Sequence, residues 1–239
     1  MGAMAVGTLN VVSLRGPLLA VGLAVVVLSN VVPGASARPA AGPDTGIHDQ
    51  SYAPRLKAAA HYTGASIRDT RLSAAAYALS KIVGVPHTID VACWSAKDWP
   101  TVSGDGNDTA YETIAFWSPA MPHWVHLSPQ ICHAFETLLD HRPRYPNVIT
   151  ADAVETLAHE TMHSVGVSVE AQAECYGMQL AATVAEKLGV PVAYANSLAR
   201  LNLDNYKQRP PNYINTTKCR EDGVWDLFPG KDSPPWHSG

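Results

Sequence analysis

Residues 159–163 read His159-Glu160-Thr161-Met162-His163, two histidines four apart with a glutamate beside the first. Four residues make about one helical turn, so on a helix both imidazoles leave the same face and can chelate one metal ion. Glu160 sits one residue past the first ligand. It can reach a water in the ion's open position without ligating the metal itself. Zinc suits this donor set: it lowers the pKa of a bound water towards 7, and a neighbouring carboxylate can take the proton. Random placement of ten histidines and the glutamates of this chain would give the pattern in roughly 1% of cases.

A catalytic zinc takes three protein ligands and keeps one open position. Residues 170–175, Glu170-Ala171-Gln172-Ala173-Glu174-Cys175, follow almost at once. Glu170 at the start of a second helix would face back across a turn at Gly166 towards His163 and complete the ligand set. Glu174, one turn further along the same face, could accept a hydrogen bond from the distal N–H of a ligating histidine and fix its tautomer. Glu174 as third ligand is the alternative. Two glutamates four apart repel each other, and a nearby cation would relieve that repulsion.

These elements must hold the motif. Asp152 to Val165 is expected as a helix with Asp152 and Glu155 in its first turn, a buried stripe of Val154, Leu157, Ala158, Thr161, Met162 and Val165, and Gly166 as its stop. Ser168 is placed to cap the next helix, which runs to Leu188 and ends at Gly189 with Pro191 beyond. Gly177, costly inside a helix, points to close packing against the histidine helix. Upstream, Arg71 to Ile82 reads as a helix ended by Gly84 and Pro86. Thr88–Trp94, Tyr111–Trp117 and Trp124–Leu127 read as strands, Lys97–Asp108 as a loop, and Pro129–Leu139 as a helix. Strands first and helices after give an α+β domain with a small antiparallel sheet, an active-site helix and a following glutamate helix.

The two motifs together resemble those of gluzincin metallopeptidases, and within them bacterial neutral zinc metallopeptidases whose second motif reads E-x-x-A-D. The likeness covers Thr150 to Gly189. It implies a zincin-like fold, one zinc per chain on His159, His163 and Glu170, Glu160 as general base, and hydrolysis of peptide bonds in a peptide or protein substrate. Glu174 stands where the family has Asp, and only SVGVSV separates His163 from Glu170, where the family has a longer insert. Gly166 also falls where metzincins carry a glycine, but that pattern would put its third ligand at Val169, which cannot bind metal. By the same likeness, strand 124–127 would be the edge along which an extended peptide lies. A group polarising the scissile carbonyl should exist, and Tyr176, Tyr206 and Tyr213 are conceivable.

Residues 1–37 read as a signal peptide: Arg15, an apolar core from Pro17 to Leu28, and a small-x-small site at Ala35-Ser36-Ala37. Residues 38–66 form an Ala/Pro/Gly-rich lead-in or pro-segment, 67–229 the domain, and 230–239 a flexible tail. An exported chain with Cys93, Cys132, Cys175 and Cys219 suggests two disulfides with three possible pairings. Neighbourhood favours Cys93–Cys132 and Cys175–Cys219, each tying a peripheral segment to a core element. The net charge of −4 over 239 residues gives no electrostatic case for nucleic acid or an anionic membrane. No apolar run is long enough to span a bilayer comfortably.

Other histidines make weaker cases. His123 and His126, three apart on a strand, point to opposite faces. His133 and His141 are too far apart along a helix to share an ion. Asn107-Asp108-Thr109 and Asn215-Thr216-Thr217 match the glycosylation sequon. No Ser-His-Asp constellation, phosphate loop or nucleotide fingerprint stands out. A secreted zinc-binding or interaction protein without catalysis is the rival reading, and it has no use for Glu160.

Overall fold

A computed structural model describes residues 67–103, 113–231 and 233–236; the expected signal peptide, lead-in and first sequon lie outside them. In chain order the elements are β1 (Ile67–Arg68), α1 (Thr70–Ile82), β2 (Asp90–Cys93), α2 (Trp99–Ser103), β3 (Ala115–Ser118), β4 (Met121–Leu127), α3 (Pro129–Asp140), α4 (Val148–Ser164), α5 (Glu170–Lys187) and α6 (Val192–Asn205), with single 3₁₀ turns at Tyr206–Gln208 and Pro211–Tyr213. The fold is α+β.

The sheet runs β1-β2-β4-β3 and is mixed, not antiparallel throughout as the sequence suggested. Strands β3 and β4 form a hairpin, but β4 then inserts beside β2, pairing in parallel from Asp90 opposite Trp124 to Cys93 opposite Leu127. The chain after β2 is long enough to cross to the far edge before turning back, and that reach decides the order. Hence strand 124–127, expected as an edge, lies inside the sheet; among the described residues β3 is paired on one side only. The region expected as a loop from Lys97 contains the short helix α2, which buries Trp99 and Val102.

Local signals set the helix ends. Asp69 accepts from the N–H groups of Arg71 and Leu72 to start α1, and Ser128 from Ile131 to start α3 behind Pro129. Asn147 accepts from Thr150 N–H, so α4 begins four residues before the expected Asp152. Asp152 and Glu155 are therefore interior residues of α4, not members of its first turn. Thirteen of the seventeen residues of α4 are buried, including the whole expected stripe up to Met162, so this helix is covered on every side. Helices α1, α3, α5 and α6 join it on one face of the sheet, over Val91, Val125 and Leu127. Helix α6 lies beyond the last helix expected from the sequence; Asn202 on it donates to the Ala151 carbonyl of α4.

The disulfides are Cys93–Cys132 and Cys175–Cys219, the favoured pairing. The first ties β2 to α3, the second α5 to the C-terminal loops. Beyond Gly230 the described residues carry only turns, and Trp236 packs against the cluster of Cys175, Met178, Tyr206, Cys219 and Trp225.

The opposite sheet face is aromatic: Trp94, Trp99 and Phe116 pack with Ala92 and Val102. His126 is buried there, stacked on Phe116 at 4.6 Å, its Nδ1 accepting from Trp94 Nε1 at 3.1 Å. Burial lowers its pKa from 6.5 to about 4. The folded imidazole is thus neutral where an unfolded one takes a proton. This contribution to stability is complete above pH 6.5 and is lost as pH falls towards 4. The loss is on the order of 3 kcal/mol. With metal chelated, His126→Phe should show a smaller drop in unfolding free energy between neutral pH and pH 4.5 than wild type does. Urea titrations at the two pH values check this, and equal drops would remove His126 as the cause.

Candidate metal centre

Helix α4 delivers His159 and His163 on one face, one turn apart, with their Nε2 atoms 3.0 Å from each other. The end of the helix sets the orientation of the second. Gly166 takes φ +96°, its N–H bonds the His163 carbonyl, and Val167 N–H returns to the Met162 carbonyl. This tight reversal brings the Val167 carbonyl within 2.7 Å of His163 Nδ1. A carbonyl only accepts, so Nδ1 carries the proton and donates, and Nε2 presents its lone pair.

The same reversal starts α5 at Glu170. Ser168, expected as its cap, is not the cap residue; Val169 is, and it has no side chain able to accept a hydrogen bond. Glu170 Oε2 lies 3.2 Å from His159 Nε2 and 3.4 Å from His163 Nε2. The three atoms form a triangle with sides of 3.0, 3.2 and 3.4 Å. Ligands about 2.0–2.1 Å from a tetrahedral zinc stand about 3.3–3.4 Å apart, so the three atoms are close enough together to share one small metal ion. Among the described residues, His159, His163 and Glu170 form one of two groups able to hold a metal; the other is Glu155, His159 and Glu174.

That second group lies on the opposite side of the His159 ring. Glu174 Oε2 is 3.3 Å from His159 Nδ1, and Glu155 Oε1 is 3.9 Å away. Glu174 is therefore the carboxylate nearest His159 Nδ1, and Glu170 stands where the two Nε2 atoms converge. Glu170 has 40% of its side chain exposed and Glu174 4%, so the Nε2 side opens outward and the Nδ1 side is sealed. Arg209 enters the sealed side, its Nη2 2.9 Å from Asp152 Oδ1 and its Nε 2.9 Å from Glu174 Oε1. Gly177 proves to be a packing position: a Cβ there would collide with the Glu155 carboxylate, which would have to move aside.

The charges explain the directions of titration. Burial opposes a charged His159, yet Glu170, Glu174, Glu160 and Glu155 outweigh it and raise its pKa well above the ordinary imidazole value. Glu170 is held far below the usual carboxylate range, since the two histidines outweigh its burial. Burial, then the charge of Glu174, push Glu155 well up. Glu160 is also raised, by burial first and Glu170 after, against the pull of both histidines. Its carboxylate accepts from the backbone N–H of Trp117, which ties it to the edge strand β3.

Of the three conceivable tyrosines, only Tyr213 reaches the centre, stacking on the His159 ring at 5.6 Å. Burial and the carboxylates of Glu170 and Glu160 push its phenol well above its ordinary pKa. Tyr206 accepts from Asn215 N–H, and Tyr176 from the Gln172 amide. His123 lies beside His87, apart from His126, while His133 pairs with Glu136 and His141 is exposed. Asn215 of the second sequon is half-buried, its side chain accepting from Lys218 N–H.

Sequence reasoning missed Arg209, the inward role of Glu155, and the Val167 carbonyl. Glu155 had a signal, being four residues before His159 on the same helix face. Arg209 had none, lying 46 residues beyond His163 with no spacing that relates it to the motif. The chain matches no protein-family profile, no curated protein and no solved structure.

Purified wild type should carry about one zinc per chain, and His163→Ala none. Glu170→Ala should lose the metal as well. Glu174→Gln should keep it with affinity weakened about 10–100-fold. Metal analysis after dialysis and chelator competition read these outcomes. Zinc retained by Glu170→Ala but lost from Glu174→Ala would move the ion to the sealed side of His159.

Proposed function

We propose that this protein is a zinc-dependent metallopeptidase of gluzincin type on a zincin-like scaffold, acting outside the cell on peptide or protein substrates. The observation that carries the reading is the convergence of His159 Nε2, His163 Nε2 and Glu170 Oε2 within 3.4 Å, with the buried carboxylate of Glu160 on the same helix. Two disulfides support an oxidising destination. Among the described residues, no helix is long and apolar enough to cross a membrane.

Zinc held by His159, His163 and Glu170 would supply Lewis acidity towards a scissile carbonyl and make water acidic enough to deprotonate near neutral pH. The rest is work for the chain's own groups. Glu160 takes the proton of the attacking water and then hands it to the departing amine. Its raised pKa suits both halves of that task. The Trp117 N–H holds the carboxylate in place. Tyr213, whose ring stacks on His159, keeps its phenolic proton at neutral pH and would be the donor that stabilises negative charge developing on the carbonyl oxygen. Strand β3 offers its outer edge for an extended peptide to pair with, close to Glu160.

Glu160→Gln should bind zinc as wild type does and lose at least about 100-fold in cleavage of a mixed peptide pool read by mass spectrometry. Activity equal to wild type would remove the mechanism. Tyr213→Phe should lower kcat with little change in KM, in kinetics on a peptide taken from that pool. Zinc bound without any cleavage, in chains with and without residues 38–66, would favour the non-catalytic zinc-binding module.

A further inference from the structure

The sealed side of His159 holds more negative charge than a buried volume tolerates unaided. Asp152 and Glu155 come from α4 and Glu174 from α5, and one guanidinium meets all three. Arg209 Nη2 donates to Asp152 Oδ1 at 2.9 Å and lies 3.6 Å from Glu155 Oε2. Its Nε is 2.9 Å from Glu174 Oε1, while the other oxygen of Glu174 lies 3.3 Å from His159 Nδ1. A continuous path therefore runs Arg209, Glu174, His159, then the Nε2 side. Arg209 also leads the short segment that ends in Tyr213 over the His159 ring.

We infer that Arg209 is a positioning residue for the metal centre: it pins Glu174 against His159 Nδ1 and anchors the segment that lays Tyr213 on the same ring. The inference rests on the reading of His159, His163 and Glu170 as ligands. A planar fork suits this place, because one side chain must satisfy carboxylates from two helices in different directions. Lysine carries the charge but has no planar fork with which to donate to Asp152 while its other edge lies against Glu174. With Arg209 gone, the carboxylates face one another uncompensated. Glu174 then has reason to turn from the group, and the imidazole loses the carboxylate that faces its Nδ1.

The test uses the full oxidised chain and zinc alone as probe, with competition against a chromophoric chelator at one fixed pH. Arg209→Gln should weaken zinc binding about 10–100-fold, and Arg209→Lys should recover part of that loss. Glu174→Gln should cost a similar factor. The double variant should be no weaker than the weaker single one, because both act through one path. Cobalt(II) in place of zinc adds a signature that lost stability alone would not move. Its visible bands should shift in Arg209→Gln and stay fixed in Arg200→Gln, whose guanidinium pairs with the exposed Asp204 on α6. Zinc affinity within twofold of wild type in folded Arg209→Gln overturns the inference and leaves the metal site standing. Multiplying losses in the double variant overturn it too. If Arg209→Gln does not fold, the Arg209→Lys and Glu174→Gln cycle decides by the same criterion. A wild type that binds no zinc removes the ligand reading first, and this inference with it.

Discussion

The structure is organised around buried negative charge that must be neutralised. Glu155, Glu160 and Glu174 are buried, Asp152 is half-buried, and Glu170 closes the open side. Ionised carboxylates do not persist in such surroundings without partners. Arg209 answers for one side of His159. On the other side two imidazoles face Glu170, with Nε2 atoms 3.0 Å apart that cannot both donate to each other. A divalent ion satisfies all three donors at once. The polar arrangement thus divides at His159: a guanidinium balances the sealed half, and the proposed metal ion would balance the outward half.

Packing makes that charge cluster possible. Helices α4 and α5 must approach closely for Glu174 to reach His159, and the faces they share are largely small or slender. Ala173, Gly177 and Ala181 on α5 meet a helix that is itself buried all round. The carboxyl of Glu155 occupies the space that a side chain at position 177 would need. Backbone geometry adds the rest. One left-handed glycine at 166 ends α4, returns a carbonyl to His163, and sets Glu170 at the first residue of the next helix. Six intervening residues are enough because the turn does three tasks.

What was legible in the sequence followed periods and spacing. The helical interval between His159 and His163, the stop at Gly166, the placing of Glu170 and Glu174 on one face, and the small residue at 177 are local facts. They survive folding unchanged. The disulfide pairing agreed with the neighbourhood argument, in which each bond ties a peripheral segment to a core element, though the cysteine count alone left three pairings open. The position of β4 between β2 and β3 was not, since strand order depends on how a long connection crosses the sheet. The start of α4 was missed because Asn147, a good cap, precedes a Val-Ile-Thr stretch that carries little helical pattern. Ser168 looked like a cap by residue type, but the reversal at Gly166 had already chosen Val169. Arg209 was invisible because its partners come from two helices, and no periodicity relates it to either.

The Cys175–Cys219 bond has a consequence for how the centre is completed. Cys175 directly follows Glu174, and the 44-residue interval it closes contains both Arg209 and Tyr213. Arg209 and Tyr213 therefore arrive on a covalent leash anchored at the residue next to Glu174, which Arg209 meets. The entropy of bringing that distant segment home is largely charged to the unfolded chain. Rigidity that α4 obtains from burial on all sides, the C-terminal loops obtain from chemistry. Cutting the leash would leave the helical donors where they are and set the roof over them adrift.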